Sequence, residues 1–177
     1  YQYRLAPTPT QEQALRWILR RCRELYNAAL AERRDAYRTH RVALNRHTQS
    51  AQLPSIKEVR PEYRQINSQV QQDVLERLDR AFAAFVRRLR AGAKPGYPRL
   101  KSTRRYRSFT LKQTGWTLKE PTGVATRCRL AVAGVGSMRL KYSRPIAGEV
   151  KTVTIRFDGD HWYAGFSCVV EVKSAPQ

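Results

Sequence analysis

The sequence predicts an α+β protein: a small antiparallel β-barrel, OB-like, with a helical domain inserted after its first strand. Three observations carry that prediction. An alternating stretch, YQYRL, opens the chain. Apolar residues then recur at helical spacing, and after Gly96 the spacing changes to a period of two. Short strand candidates separated by Gly-containing turns fill the remainder, the pattern of a small barrel. The resulting boundaries are 1–6 with 95–177 for the barrel domain and 7–94 for the helical domain.

Residues 1–6 read as a strand ended by Pro7 and Pro9. Thr10 with Gln13 reads as a capping box, each side chain satisfying a free backbone N–H of a first helical turn. Leu15, Ile18, Leu19, Cys22, Leu25, Tyr26, Ala29 and Leu30 then share one face of a helix running to about Tyr37. The opposite face carries Arg16, Arg20, Arg23 and Arg34. Segment 40–65 is polar, broken by Pro54 and Pro61, and predicts at most a short helix. An apolar stripe from Ile66 to Leu89 predicts a helix over about 66–91, stopped by Gly92 and packed on the first. Strands are expected at 106–111, 115–119, 127–132, 137–142, 149–157 and 161–172. The last two are the clearest, because Val153, Ile155 and Phe157 alternate into a DGD turn and Trp162, Ala164, Phe166, Cys168 and Val170 alternate back.

The 177 residues carry a formal net charge of +20, which favours a polyanionic partner. No apolar run approaches the roughly 20 residues that span a bilayer, so the expected polyanion is nucleic acid and not a membrane. Cys22, Cys128 and Cys168 are isolated, with no CxxC pair, and read as reduced, buried thiols of a cytosolic protein. No catalytic constellation is visible. Asp73, Glu76 and Asp79 alternate with Arg77 and Arg80, so Asp73–Arg77 and Glu76–Arg80 read as i,i+4 pairs on a solvated face. Asp158 and Asp160 flank Gly159 in a turn, and His40, His47 and His161 have no acid paired with them in sequence. Both ends read as cut from something longer.

From Arg80 to Lys119 there are twelve Lys or Arg and no acid, interleaved with Tyr97, Tyr106, Phe109 and Trp116. Arginine forks match phosphate oxygens, and aromatic faces stack on unpaired bases. The competing reading is a solvated basic face whose aromatics belong to the core. Pro95, Gly96 and Pro98 restrict the backbone, which makes the stretch a shaped connector.

Four stretches in order, CRELYNAALAERRDAY, NSQVQQDVLERLDRAFAAFVRR, GYPRLKSTRRYRSFTL and IAGEVKTVTIRFDGDHWYAGFSCVVEV, resemble the N-terminal half of insertion-sequence TnpB (OrfB) proteins. These are transposon-encoded RNA-guided DNA endonucleases related to type V CRISPR effectors. The resemblance implies that the barrel is a wedge domain and the helical insertion a recognition domain. It implies two partners, a guide RNA derived from the transposon end and double-stranded target DNA beside a transposon-adjacent motif. It also implies a prokaryotic, cytoplasmic, nucleoid-associated protein. The family's RuvC acids and zinc ribbon lie beyond Gln177, so no catalytic residue or cofactor is expected here. Divalent metal (Mg) belongs to the absent nuclease domain alone.

Carried over by position, the DNA-motif readers are Arg46, Thr48, Ser50, Ser68, Gln69 and Gln72. Gln pairs bidentately with adenine and Arg with guanine, while helix capping competes for Thr48, Ser50 and Ser68. Tyr97, Arg99, Lys101, Arg104, Arg105 and Arg107 would hold RNA or heteroduplex backbone. The alternative is a standalone, nuclease-dead, transposon-derived RNA- or DNA-binding protein or repressor.

Overall fold

The computed structural model describes residues 1–119 and 128–170. They form two compact units, one from Tyr1–Leu15 with the described part of Ser108–Gln177, the other from Arg16–Arg107.

The first unit is a seven-stranded antiparallel sheet, nearly closed into a barrel. Its strands are β1 (Gln2–Ala6), β2 (Ser108–Leu111), β3 (Trp116–Lys119), β4 (Cys128–Val132), β5 (Gly136–Lys141), β6 (Glu149–Phe157) and β7 (Trp162–Val169). The order is β2-β6-β7-β1-β5-β4-β3, so the short opening strand lies at the centre, between β7 and β5. Alternation decides the inner face: Tyr3 and Leu5, Phe109 and Leu111, Leu130 and Val132, Met138 and Leu140, Val153 and Ile155, and Trp162, Ala164 and Phe166 are all buried. Each large apolar side chain contributes about 1.5–3 kcal/mol by leaving water. Trp116 on edge strand β3 meets Phe166 of β7 at 6.5 Å, edge to face, which requires the sheet to curl on itself. Gly148 has φ +84°, and a Cβ there would lie 2.3 Å from the Val169 carbonyl oxygen, so only glycine fits. The expected strands at 127–132 and 161–172 include residues 127, 171 and 172, which lie outside the described residues.

The helices follow β1: α1 (Pro9–His40), α2 (Arg46–Ala51), α3 (Leu53–Val59), the short 3-10 helix α4 (Pro61–Gln65) and α5 (Ser68–Arg90). Helix α1 starts earlier than its expected cap. Thr8 is the capping residue: its Oγ1 accepts from the Gln11 N–H at 3.3 Å, and Gln11 Oε1 accepts from the Thr8 N–H at 3.0 Å. The reciprocal box therefore sits two residues before Thr10 and Gln13, and Pro9 begins the helix without losing a needed donor. Segment 40–65 holds three short helices where at most one was expected. Asn45 caps α2 in a box with Thr48, and Pro54 and Pro61 each stand at a first helical turn, where they initiate helices instead of breaking them. Helix α5 is capped by Asn67, and Gly92, at φ +74°, takes the chain out of it.

Residues 95–107 lie in the same compact unit as the helices, whereas the sequence boundary placed them with the barrel. Tyr97 packs on Phe82 and Phe85, both at 5.4 Å, and Tyr106 is buried 6.0 Å from Tyr26. Asp73 is buried as well, instead of belonging to a solvated face, and bonds Arg77 at 2.6 Å. Cys22 and Cys128 are buried free thiols, and Cys168 is half-buried. Among the described residues no helix is long and apolar enough to cross a membrane.

Candidate nucleic-acid interface

The basic connector has neither helix nor strand over 93–107, yet its path is fixed. Asn27 of α1 clamps the Lys101 backbone from both sides: its Nδ2 donates to the Lys101 carbonyl at 3.0 Å, and its Oδ1 accepts from the Lys101 N–H at 2.8 Å. Arg23 donates to Thr103 Oγ1, and the N–H groups of Arg105 and Tyr106 both donate to the Ser102 carbonyl, closing a turn. This anchoring sorts the interleaved aromatics. Tyr106 and Phe109 are core residues, and Trp116 is half-buried, its Nε1 donating to the Lys112 carbonyl at 2.9 Å. Tyr97 alone of the four keeps substantial exposure, 40 %.

Tyr97 lines a cleft of about 500 Å³ together with Leu30, Arg34, Pro98, Arg99, Leu100 and Arg105. Three expected backbone-holding residues, Tyr97, Arg99 and Arg105, thus converge, and α1 adds Arg34. Burial pushes the Tyr97 hydroxyl above its ordinary pKa, although Arg34 and Arg33 pull it down, so it is protonated at neutral pH and can donate. Lys101 does not join them. Its ammonium stands 5.7 Å over the Tyr26 ring, so its first task is anchoring. Arg104 and Arg107 are exposed elsewhere on the connector, with Arg107 Nε donating to the Arg104 carbonyl at 2.6 Å.

The six DNA-motif candidates divide differently. Thr48 is occupied in the α2 capping box, and Ser68 Oγ accepts from Lys57 Nζ at 2.9 Å. Arg46 pairs with Glu76 at 3.6 Å, and Ser50 and Gln69 are half-buried. Gln72 projects into solvent from the early part of α5. Its neighbours Gln71 and Gln49 are buried and structural. Gln71 Nε2 donates to the Tyr63 and Ile66 carbonyls at 2.7 and 2.9 Å, and Gln49 Nε2 donates to the Ala29 carbonyl at 2.9 Å.

Sequence reasoning missed the outer face of the barrel. Strand registers place Lys119, Arg129 and Arg139 directly opposite one another on β3, β4 and β5. A second row runs Lys141, Arg4, Tyr163, Arg156 across β5, β1, β7 and β6. All six cations are exposed. Like charges directly opposite on a sheet destabilise it, so such rows fit a surface that meets a polyanion. The signal was available as cations at outward positions of alternating strands, but their alignment depends on a strand order that the sequence does not display. Among the described residues no group of three or more His, Cys, Asp or Glu is placed to hold a metal ion.

Fold and surface define an α+β protein whose exposed cations, in each of its two units, suit a polyanion. Residues 1–41 match the family model of the OrfB IS605 helix-turn-helix domain, a transposon-associated, DNA-binding class. Within that span the chain forms β1 and one continuous helix, α1, and the next helix begins only at Arg46. No curated protein matches the chain.

Proposed function

We propose that this chain is the nucleic-acid-binding portion of a transposon-encoded RNA-guided DNA endonuclease of the TnpB (OrfB) kind. It holds guide RNA and double-stranded DNA beside a transposon-adjacent motif, in the prokaryotic cytoplasm. The observation that carries this reading is the cleft in which Arg34, Arg99 and Arg105 surround exposed Tyr97 and Leu100. Guanidinium forks there can take phosphates while the tyrosine and leucine meet a base or sugar. The OrfB match at residues 1–41 supports the DNA side of the reading. In this proposal the barrel is an OB-like wedge, its cation rows follow phosphate backbone, and Gln72 is the remaining exposed DNA-motif reader. Cleavage, with its divalent metal, belongs to a RuvC domain and not to these residues.

Binding of a guide-like RNA hairpin and of duplex DNA, measured by fluorescence anisotropy from 50 to 400 mM salt, tests it. The expected log K against log salt is steep, falling by about 0.9 per duplex phosphate contacted. A flat response would sink the proposal.

A further inference from the structure

A second cleft, of about 550 Å³, opens between α1, the residues after it and α5. Its volume lies within the roughly 300–1,000 Å³ common for small-ligand sites. Leu44, Phe82 and Val86 give it apolar walls, and Arg87 and Arg90 stand at one end. Arg33 and Asp79 supply its polar groups.

Those two residues are held in place by their neighbours. Arg33 is 4 % exposed, with its guanidinium 5.2 Å from the centre of the Phe82 ring. Its Nε donates to Gln49 Oε1 at 2.8 Å and its Nη1 to Asp79 Oδ1 at 3.0 Å. Its buried Nη2 finds no acceptor among the described residues. The Asp79 side chain keeps 45 % exposure, and each carboxylate oxygen accepts more than one hydrogen bond. The cleft therefore offers apolar walls, a carboxylate that accepts, a guanidinium short of an acceptor, and two exposed arginines.

We propose that this cleft is a slot for one unpaired guanine of a bound RNA strand. The inference rests on the nucleic-acid reading above and adds a base-selective site to it. Guanine presents N2–H, N1–H and O6 in a row, two adjacent donors for the Asp79 carboxylate and an acceptor for Arg33. Adenine, cytosine and uracil do not offer two adjacent donors on that edge. The base would lie against Phe82, Val86 and Leu44, with flanking phosphates on Arg87 and Arg90.

The test uses the whole chain and labelled 12-nucleotide RNAs: oligouridine, the same strand with one central guanine, and the same with inosine, which lacks N2–H. The guanine strand should bind about tenfold tighter than oligouridine, with inosine between them. Ala83→Trp fills the cleft from its wall, the indole occupying the space beside Asp79 one helical turn earlier. It should abolish the guanine preference and leave oligouridine affinity unchanged. Asp79→Asn should also abolish the preference, and if it fails to fold, Ala83→Trp carries the test. Equal affinity for guanine and uridine strands, or a preference that survives Ala83→Trp, would overturn the slot while leaving the binding surface in place. Failure to bind any of the three RNAs at low salt would instead remove the reading on which the slot rests.

Discussion

Arg99 and Arg105 reach the Tyr97 cleft from opposite sides of a turn that Asn27 and Ser102 hold still. Both are exposed, so the Arg99→Ala/Arg105→Ala double variant should fold as the parent does. It should lower RNA affinity without regard to sequence. The slope of log K against log salt should become shallower by about 1.4 for a single strand and 1.8 for a duplex. An unchanged slope would return the connector to the category of solvated loop. Gln72→Ala belongs to a different test. It should relax preference for one short DNA motif with no change in thermal midpoint, and equal loss on every sequence would show that Gln72 is not a reader.

At the scale of elements, glutamines decide how short helices join long ones. Gln71 ties the end of α4 to α5 through two buried backbone carbonyls, Tyr63 and Ile66. Gln71→Leu keeps the volume and leaves both carbonyls without that donor, so urea denaturation should show a loss of about 2 kcal/mol. A loss below about 0.5 kcal/mol would mean that other donors replace it. Gln49 does comparable work between α1 and α2, accepting from Arg33 and donating to Ala29 and Glu32. The exposed cations of the barrel act in the opposite direction. Arg139 stands across from Arg129, so Arg139→Ser should leave the barrel as stable or more stable by about 0.2–1 kcal/mol at low salt while weakening RNA binding. A clear fall in stability with intact binding would make Arg139 a structural residue.

For the whole molecule, burial sets the response to alkali. It pushes Cys22 from 9.0 to about 12 and Tyr63 from 10.0 to about 12, and raises Tyr106 too. All three are neutral in the folded state, and the unfolded chain loses these protons first. Below about pH 9 both states hold them, so this contribution to stability is fully present. As pH rises from about 9 toward 12, ionisation favours the unfolded chain by up to about 1.4 kcal/mol per pH unit for each group. The urea midpoint should therefore be level from pH 7 to 9 and fall steeply beyond. A level midpoint through pH 11 would contradict the burial of these groups.

The sequence by itself determined the two long periodic elements, the switch from helix to strand after Gly96, and the strong excess of basic charge. Each is written locally, in spacing or charge. Pro95, Gly96 and Pro98 marked a shaped connector, and the family resemblance named Tyr97, Arg99, Lys101, Arg104, Arg105 and Arg107 on it without telling which of them share a cleft. The roles of neighbouring residues were not legible. Gln71 is buried while Gln72 is exposed, Thr48 caps a helix, and Lys101 is held against Tyr26. Burial and hydrogen bonding of that kind depend on residues distant in the chain, such as Asn27 clamping Lys101 across 74 positions. The tertiary structure alone decided the strand order that lines up Lys119, Arg129 and Arg139. It also decided the packing that sets a buried Arg33 beside Asp79 at the wall of a cleft. Those arrangements arise from contacts between segments, and no local pattern encodes them.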